Sequence, residues 1–277
     1  YTLRLLTTQQ FQRASRLICA MELIRRKKIE HLGPIPFSIG IWVGGENTPN
    51  NRLTAKKALR ELQRYPNNKN PFVHESCPWC GTSFNNSKRA NNRKLLGYAE
   101  HGKTVVFSCP NRRCSFHGIG NLPIYVVDED IYEFRPDIII GTVDKFAQLI
   151  WRPEVRNLFG INNEGKRFAS PPGLIIQDEL HLISGPLGSM SGLYETVVEE
   201  LCTNRRNGNK TKPKIISSTA TIKNFSNQIK ALFAREESSL FPPPGLSQSD
   251  NFFSRIAKTK DQIDCKKFVG IYAPGLR

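Results

Sequence analysis

The chain has 277 residues, 39% of them hydrophobic, and a formal net charge of +16. That apolar share supports a packed core and excludes a disordered tail. No apolar run approaches the roughly 18 residues of a membrane-spanning helix, and so positive a charge favours a polyanionic partner, of which nucleic acid is the commonest. The length exceeds a usual single domain of roughly 100–200 residues, so one domain with an insertion, or one domain and part of a second, is expected. The opening residues Tyr1 to Leu6 lack the charged-then-apolar form of a signal peptide, and there is no starting Met. A piece of a longer protein is expected.

In chain order, Leu3, Leu5 and Leu6 form a short apolar run that predicts a strand, and Thr7-Thr8-Gln9-Gln10 a polar break. Phe11, Ala14, Leu17, Ile18, Met21 and Ile24 then recur at helical spacing. Residues 35–45 read as a second strand ending in Gly44-Gly45, and residues 52–64 as a basic helix with Leu53, Ala55, Ala58, Leu59 and Leu62 on one side. Residues 70–120 are rich in Asn, Arg and Cys and poor in aliphatics, as a small inserted module would be. Strand–helix alternation then returns. Strands are expected at Pro136–Thr142, Gly173–Asp178 and Lys214–Thr221, and helices at Asp144–Trp151, Gly192–Cys202 and Phe225–Ala234. Near-continuous aliphatic strands of this kind predict a parallel sheet covered on both faces. Phe241-Pro242-Pro243-Pro244-Gly245 breaks the pattern as a linker, and a last strand is expected from Phe268.

Seven cysteines are an odd number, and four fall in two close pairs. This usage points to a reducing cytoplasm and a metal site rather than disulfides. Cys77-Pro78-Trp79-Cys80 and Cys109-Pro110-Asn111-Arg112-Arg113-Cys114 read C-x2-C and C-x4-C. Two such thiolate pairs can close a tetrahedron around a structural Zn2+. His117 is an alternative to Cys114 as fourth ligand. Cys19, Cys202 and Cys265 read as ordinary thiols. Lys88, Arg89, Arg93, Lys94, Lys103, Arg112 and Arg113 make the module basic, suited either to phosphate contact or to docking of a partner domain.

Gly97-Tyr98-Ala99-Glu100-His101-Gly102-Lys103-Thr104 fits the phosphate-loop pattern G-x-x-x-x-G-K-[ST]. That loop works by leading from a strand into a helix whose N–H groups hold phosphate. Here Asn- and Arg-rich chain precedes the string, and the strand-like Val105-Val106-Phe107 follows it. A hairpin between the two cysteine pairs is expected instead.

Leu174-Ile175-Ile176-Gln177-Asp178-Glu179-Leu180-His181 is an apolar strand ending in two acids. An Asp at a strand tip can hold Mg2+ on a nucleotide's phosphates, and the adjacent Glu can orient or deprotonate the attacking water. A surface acid pair is the bland alternative. Ser218-Thr219-Ala220-Thr221 ends the following strand with small hydroxyls able to reach the carboxylates. Gly141-Thr142-Val143-Asp144-Lys145 ends the preceding strand, where N–H groups and Lys145 can grip a backbone phosphate.

This series resembles the superfamily 2 helicase motor. Leu3 to Thr7 with Gln10 is similar to the family's first DNA-contacting motif, Gly141 to Lys145 to the second, Asp178-Glu179-Leu180-His181 to motif II, and Thr219-Ala220-Thr221 to the Ser-Ala-Thr motif III with Thr for Ser. More narrowly, the run Ile176 to Gly188, with the cysteine insertion before Tyr125-Val126-Val127-Asp128-Glu129-Asp130 and the late Phe241 to Gly245, resembles the helicases of the bacterial DISARM anti-phage system.

The resemblance implies a partial RecA-like parallel sheet, a P-loop NTPase lobe of α/β class, with an inserted four-cysteine zinc ribbon. It implies a first lobe over 1–69 and 123–240, the ribbon over 70–122, a linker over 241–266 and the start of a second lobe over 267–277. The phosphate loop is expected before Tyr1. The implied activity is ATP- and Mg2+-dependent translocation on, or unwinding of, DNA that is single-stranded or carries an overhang. Asp178 and Glu179 would bind Mg2+·ATP, and with His181, Thr219 and Thr221 form the catalytic set. Thr7, Gln10, Arg13, Thr142 and Lys145 would contact nucleic acid, and Cys77, Cys80, Cys109 and Cys114 the zinc. Other subunits of the defence system, such as DrmB, are the implied protein partners. The rivals are a non-catalytic zinc-ribbon DNA-binding module on a degenerate NTPase scaffold, and an RNA helicase, since backbone contacts do not reveal discrimination at the 2′-OH.

Overall fold

The structure is a computed structural model that describes residues 2–65, 67–86, 94–95, 97–118, 120–183, 185–205, 208–219, 225–243, 245, 250–255 and 269–270. It divides into two compact units, Tyr1–Ile222 and Lys223–Arg277.

The larger unit begins with a long helix, α1 (Thr2–Lys27). The expected strand at Leu3 to Leu6 is therefore helix. A short leucine run does not separate strand from helix by periodicity. Leu, Arg and Gln are good helix formers, and no Gly or Pro interrupts the chain before Gly33. Phe11, Ser15, Ile18, Cys19, Glu22 and Arg25 are buried, one stripe at spacings of three and four. Arg25, Arg26 and Lys27 complement the negative C-terminal end of the helix. A single turn, α2 (Ile29–Leu32), follows.

Strand β1 (Ile39–Trp42) is buried at every position. Helix α3 (Arg52–Arg64) starts at Asn51, whose side chain accepts from the Thr54 N–H, and buries Ala55, Leu59 and Leu62. Leu53, expected on that face, is exposed.

The cysteine-rich segment holds the short antiparallel pair β2 (Asn85–Asn86) and β3 (Lys94–Leu95) and the hairpin of β4 (Tyr98–His101) and β5 (Thr104–Phe107). The hairpin turns at Gly102, whose φ of +56° favours glycine. It packs on α3, where Arg60 pairs with Glu100 at 2.9 Å and Lys56 Nζ donates to the Gly102 carbonyl at 2.8 Å. Tyr98, Phe107 and Phe116 join Phe11, Ile18, Ile39 and Leu59 in a single apolar core. The cysteine-rich segment thus shares its core with the α/β body.

Strand β6 (Ile124–Tyr125) returns to that body, followed by α4 (Asp128–Phe134) and β7 (Ile138–Gly141). The three strands form a parallel sheet in the order β6-β1-β7, with Ile39 opposite both Ile124 and Ile138. Past β7 the expected helix is shorter. Helix α5 (Val143–Phe146) gives way to a 3-10 turn over Ala147–Leu149. Pro153 disfavours helical backbone at Arg152, which is extended, so the chain has to leave the helix there.

Strand β8 (Leu174–Gln177) pairs in parallel with β9 (Lys214–Ser217) as a separate two-stranded sheet among the described residues. Between them lies α6 (Gly185–Cys202), which begins seven residues earlier than the sequence suggests. Its early Pro186 falls in the first turn, where a missing N–H costs nothing. The expectation of strands covered on both faces does not hold for this pair. Leu174, Ile176 and Ile216 alternate with half-buried neighbours and are exposed. The described architecture is mixed α/β with small parallel sheets.

In the smaller unit, α7 (Phe225–Phe233) buries Phe233, and the rings of Phe241, Phe252 and Phe253 pack edge to face. Of the expected final strand, only residues 269–270 are described. Among the described residues, no helix is long and apolar enough to cross a membrane.

Candidate functional site

The four cysteines predicted as ligands come together. The sulfurs of Cys77, Cys80, Cys109 and Cys114 all lie within 4.8 Å of one another, and Cys80 and Cys109 are 3.5 Å apart. Tetrahedral Zn–S bonds place sulfurs about 3.8 Å apart, so the cluster fits a metal ion such as Zn2+. Each knuckle turns tightly. The Gly81 N–H donates to the Cys77 carbonyl at 2.9 Å, with Gly81 at φ +74°, and the Cys114 N–H donates to the Asn111 carbonyl at 2.9 Å.

Polar groups around the Cys80 sulfur favour its thiolate. Burial opposes ionisation of Cys80, but hydrogen bonds from the Thr82 hydroxyl and backbone outweigh it and bring the thiol down to about 6. Burial pushes the Cys77 thiol up to about 11; a metal cation is the group that would hold both thiolates ionised. The fourth position is taken by Cys114 and not by the alternative, His117. The His117 Nδ1 lies 2.8 Å from the Cys109 carbonyl, bracing that knuckle. Cys19 and Cys202 are buried thiols pushed up to about 12 by desolvation, in keeping with ordinary core cysteines. Cys265, Lys88, Arg89 and Arg93 lie outside the described residues, as does the side chain of Lys94.

The Gly97–Thr104 string is the β4–β5 hairpin. Lys103 is exposed beside its turn, with no helix following, so the strand–loop–helix that a phosphate loop requires is not formed.

The second cluster sits at the C-terminal tip of β8. Asp178 Oδ1 accepts from Ser218 Oγ at 2.8 Å and from the Glu179 N–H at 3.0 Å, and Oδ2 accepts from Gln10 Nε2. The Gln10 bond, aided by those from Ser218 and Glu179, holds the carboxyl below its usual range. Backbone bonds tie the two strand ends, from the Ser218 N–H to the Gln177 carbonyl and from the Leu180 N–H to the Ser218 carbonyl. Glu179 adopts φ +56°, ψ +42°, a left-handed conformation costly for a non-glycine residue and concentrated at functional sites. His181 Nδ1 lies 3.3 Å from Glu179 Oε2.

Two residues assigned by sequence to nucleic-acid contact have partners within the protein. Gln10 is exposed and its amide bonds Asp178, which joins it to the carboxylate cluster without removing it from the surface. Lys145 is 2% exposed, with Nζ 2.6 Å from Asp128 Oδ2 and 3.3 Å from Asn50 Oδ1. Its ammonium faces inward rather than toward a surface phosphate. Thr142 precedes α5 as its cap, with a buried Oγ1 that has no partner among the described residues. Thr7 is half-buried, and Arg13 is exposed one turn after Gln10. Thr219 is exposed beside Ser218, and Thr221 lies outside the described residues.

Ser218, the first of the small hydroxyls expected to reach the carboxylates, is the one that bonds Asp178. Sequence reasoning missed the residues that brace the turn after β7. Asp128 and Asp130 are buried at the start of α4, where burial raises both carboxyls against the pull of Lys145 and Arg52. Arg52 joins that network through Asp130 at 2.7 Å and through Glu133. The acidic run Asp128-Glu129-Asp130 was the available signal.

No protein-family model matches the chain. A curated protein of Bacillus paralicheniformis, the DISARM protein DrmA, aligns at 38% identity over 314 positions, taking in 99% of this chain. The chain is similar to DrmA. It spans 27% of that relative's length, so the likeness runs through the cysteine module and the carboxylate strand alike but concerns about a quarter of DrmA.

Proposed function

We propose that the chain forms part of the ATP-hydrolysing lobe of a superfamily 2 DNA helicase or translocase that acts in bacterial anti-phage defence. The observation that carries the reading is the Asp178 site: an ionised carboxylate at the tip of a parallel strand, clamped by Gln10, Ser218 and the Glu179 N–H. The C-terminal ends of parallel strands are where α/β folds bind ligands. The similarity to DrmA over the whole chain supports the biological setting.

In this reading the lobe is RecA-like, formed by residues 1–69 and 123–240. Residues 70–122 are a zinc ribbon, 241–266 a linker, and 267–277 the start of a second lobe. The cysteine cluster holds a structural Zn2+, whose four thiolates leave no position for a reactive water. Mg2+·ATP, when bound, supplies the transferable phosphoryl group and the cation that offsets its charge.

The chain's own residues prepare the site. Asp178 stays ionised at neutral pH because three donors face its two oxygens, and it would hold the cation directly or through water. Glu179 orients the attacking water and takes its proton, and His181, 3.3 Å from its carboxylate, fixes its direction. Thr219 and Thr221 pass the state of the site to a neighbouring lobe. Thr7, Arg13 and Thr142 meet the DNA backbone, while Lys145 supports the turn after β7 through Asp128. Other defence subunits such as DrmB are the protein partners, and the cytoplasm is the setting. The test is Asp178→Asn in a longer protein that contains this chain. DNA-stimulated ATP hydrolysis should fall by about 100-fold or more; a variant with undiminished turnover counts against the assignment.

A further inference from the structure

Helix α1 touches both clusters. Gln10 reaches Asp178. The next residues face the cysteine module: Phe11 packs on the His74 ring at 5.2 Å between centroids, and Gln12 Nε2 donates to the Val73 carbonyl at 3.2 Å. One turn on, Ser15 Oγ lies 3.0 Å from His74 Nε2. Ser15 donates its single proton to the Phe11 carbonyl at 2.8 Å, so the proton of the His74 contact comes from Nε2. Farther along, Cys19 shares a core with Cys77 and Cys114, and the Arg26 guanidinium stands 5.0 Å over the Phe116 ring.

His74 is itself fixed to the module. Its carbonyl accepts from the Tyr98 hydroxyl and from Asn70 Nδ2 at 3.3 Å, and its ring meets Phe107 edge-on. It stands three residues before Cys77, and Phe107 two before Cys109. The ligand-bearing segments and α1 therefore meet at one buried joint, with His74 3% exposed and Ser15 fully buried.

We infer that the cysteine module is a positioning element for the Asp178 site: through the His74–Ser15 joint it sets the place of α1, and α1 in turn presents Gln10 to Asp178. The metal is then more than a local staple. The residues of α1 that meet the module and the one that meets Asp178 follow one another along the helix, and neither cluster needs to touch the other. His74, Ser15 and Gln12 are positioning residues, and none contacts a reacting atom. The inference rests on the reading of Asp178 as the functional carboxylate, but the contact it describes is independent of hydrolysis.

The test uses the longer, zinc-loaded protein, with metal content measured by mass spectrometry and amide exchange followed along residues 6–12, 98–107 and 174–180. In His74→Leu, zinc should be retained and 98–107 stay protected, while 6–12 and 174–180 exchange about tenfold faster. His74→Gln, which keeps a donor for Ser15, should restore the protection. A purely structural role for His74 would give no selective change and no rescue. If His74→Leu loses its zinc, the double variant Gln12→Ala/Ser15→Ala decides, since both residues lie off the module. Metal retained with exchange over 6–12 and 174–180 unchanged overturns the inference. A parent protein that shows the coupled exchange but no ATP hydrolysis overturns the proposed function and leaves the coupling standing.

Discussion

Gln10 and Asp178 stand 168 positions apart in the chain and share a hydrogen bond, amide nitrogen to carboxylate oxygen. The bond joins the first helix to the end of β8. It turns the amide of Gln10 toward the carboxylate site and not outward along α1.

Removing that bond has a defined consequence. Gln10→Ala takes one of three donors from Asp178, so the carboxyl should move up toward its ordinary range. We expect ATP turnover at limiting Mg2+ to fall by about tenfold, with thermal stability nearly unchanged because the contact is exposed. A Gln10→Ala protein that hydrolyses ATP normally but binds DNA more weakly would return Gln10 to the nucleic-acid surface.

Metal removal should unfold more than the module. Phe107, Cys109 and Phe116 share a core with Phe11, Ile39 and Leu59. Cys109→Ser should therefore lose the metal and lower the melting temperature of the whole lobe, since a structural zinc site contributes folding free energy directly. Calorimetry with metal analysis checks this. A separate low-temperature transition confined to the cysteine module would show instead that the insertion folds on its own.

The buried pair Lys145–Asp128 gives a third expectation. Lys145→Met leaves the Asp128 carboxylate buried without its cation, which costs about 3–5 kcal/mol. Adding Asp128→Asn should recover most of that loss in urea denaturation. A single Lys145→Met variant of normal stability whose DNA affinity depends less steeply on salt would mean that the lysine reaches phosphate after all.

These cases show which features the sequence carried. The two cysteine pairs were legible because metal-ligand chemistry dictates local spacing. Strand β1, helix α3, strand β7 and helix α7 were legible from apolar periodicity to within a few residues. Lys145 was not, because a lysine after a strand looks solvated until its partner, seventeen residues earlier, is known. The first helix was misread because Leu3, Leu5 and Leu6 suit either period. The aliphatic runs of β8 and β9 predicted full burial, yet Leu174, Ile176 and Ile216 alternate outward. The hydroxyls from Ser218 to Thr221 were legible as partners of the carboxylates, but no local pattern announces that Ser218 is the one that reaches Asp178, or that α1 lies beside both clusters.

The acid side of the stability profile should carry the mark of His74. Burial, with Arg16 nearby, lowers its pKa from an ordinary 6.5 to about 4. The folded state thus keeps the ring neutral while the unfolded chain takes up a proton below 6.5. The stabilisation is fully present above that pH and is lost as pH falls toward 4. Between about pH 6.5 and 5 the cost is about 1.5 kcal/mol. His74→Gln should remove this component from urea melts over the same interval, and an unchanged slope in the variant would assign it to other groups.

The central claim is that Glu179, beside the clamped Asp178, handles the attacking water. Its most direct test is DNA-stimulated ATP hydrolysis by the longer protein carrying Glu179→Gln, a change that keeps size and hydrogen bonding but removes the base. Nucleotide and DNA binding should stay close to the parent, with turnover reduced by about 100-fold or more. Turnover equal to the parent, with binding intact, would contradict the claim.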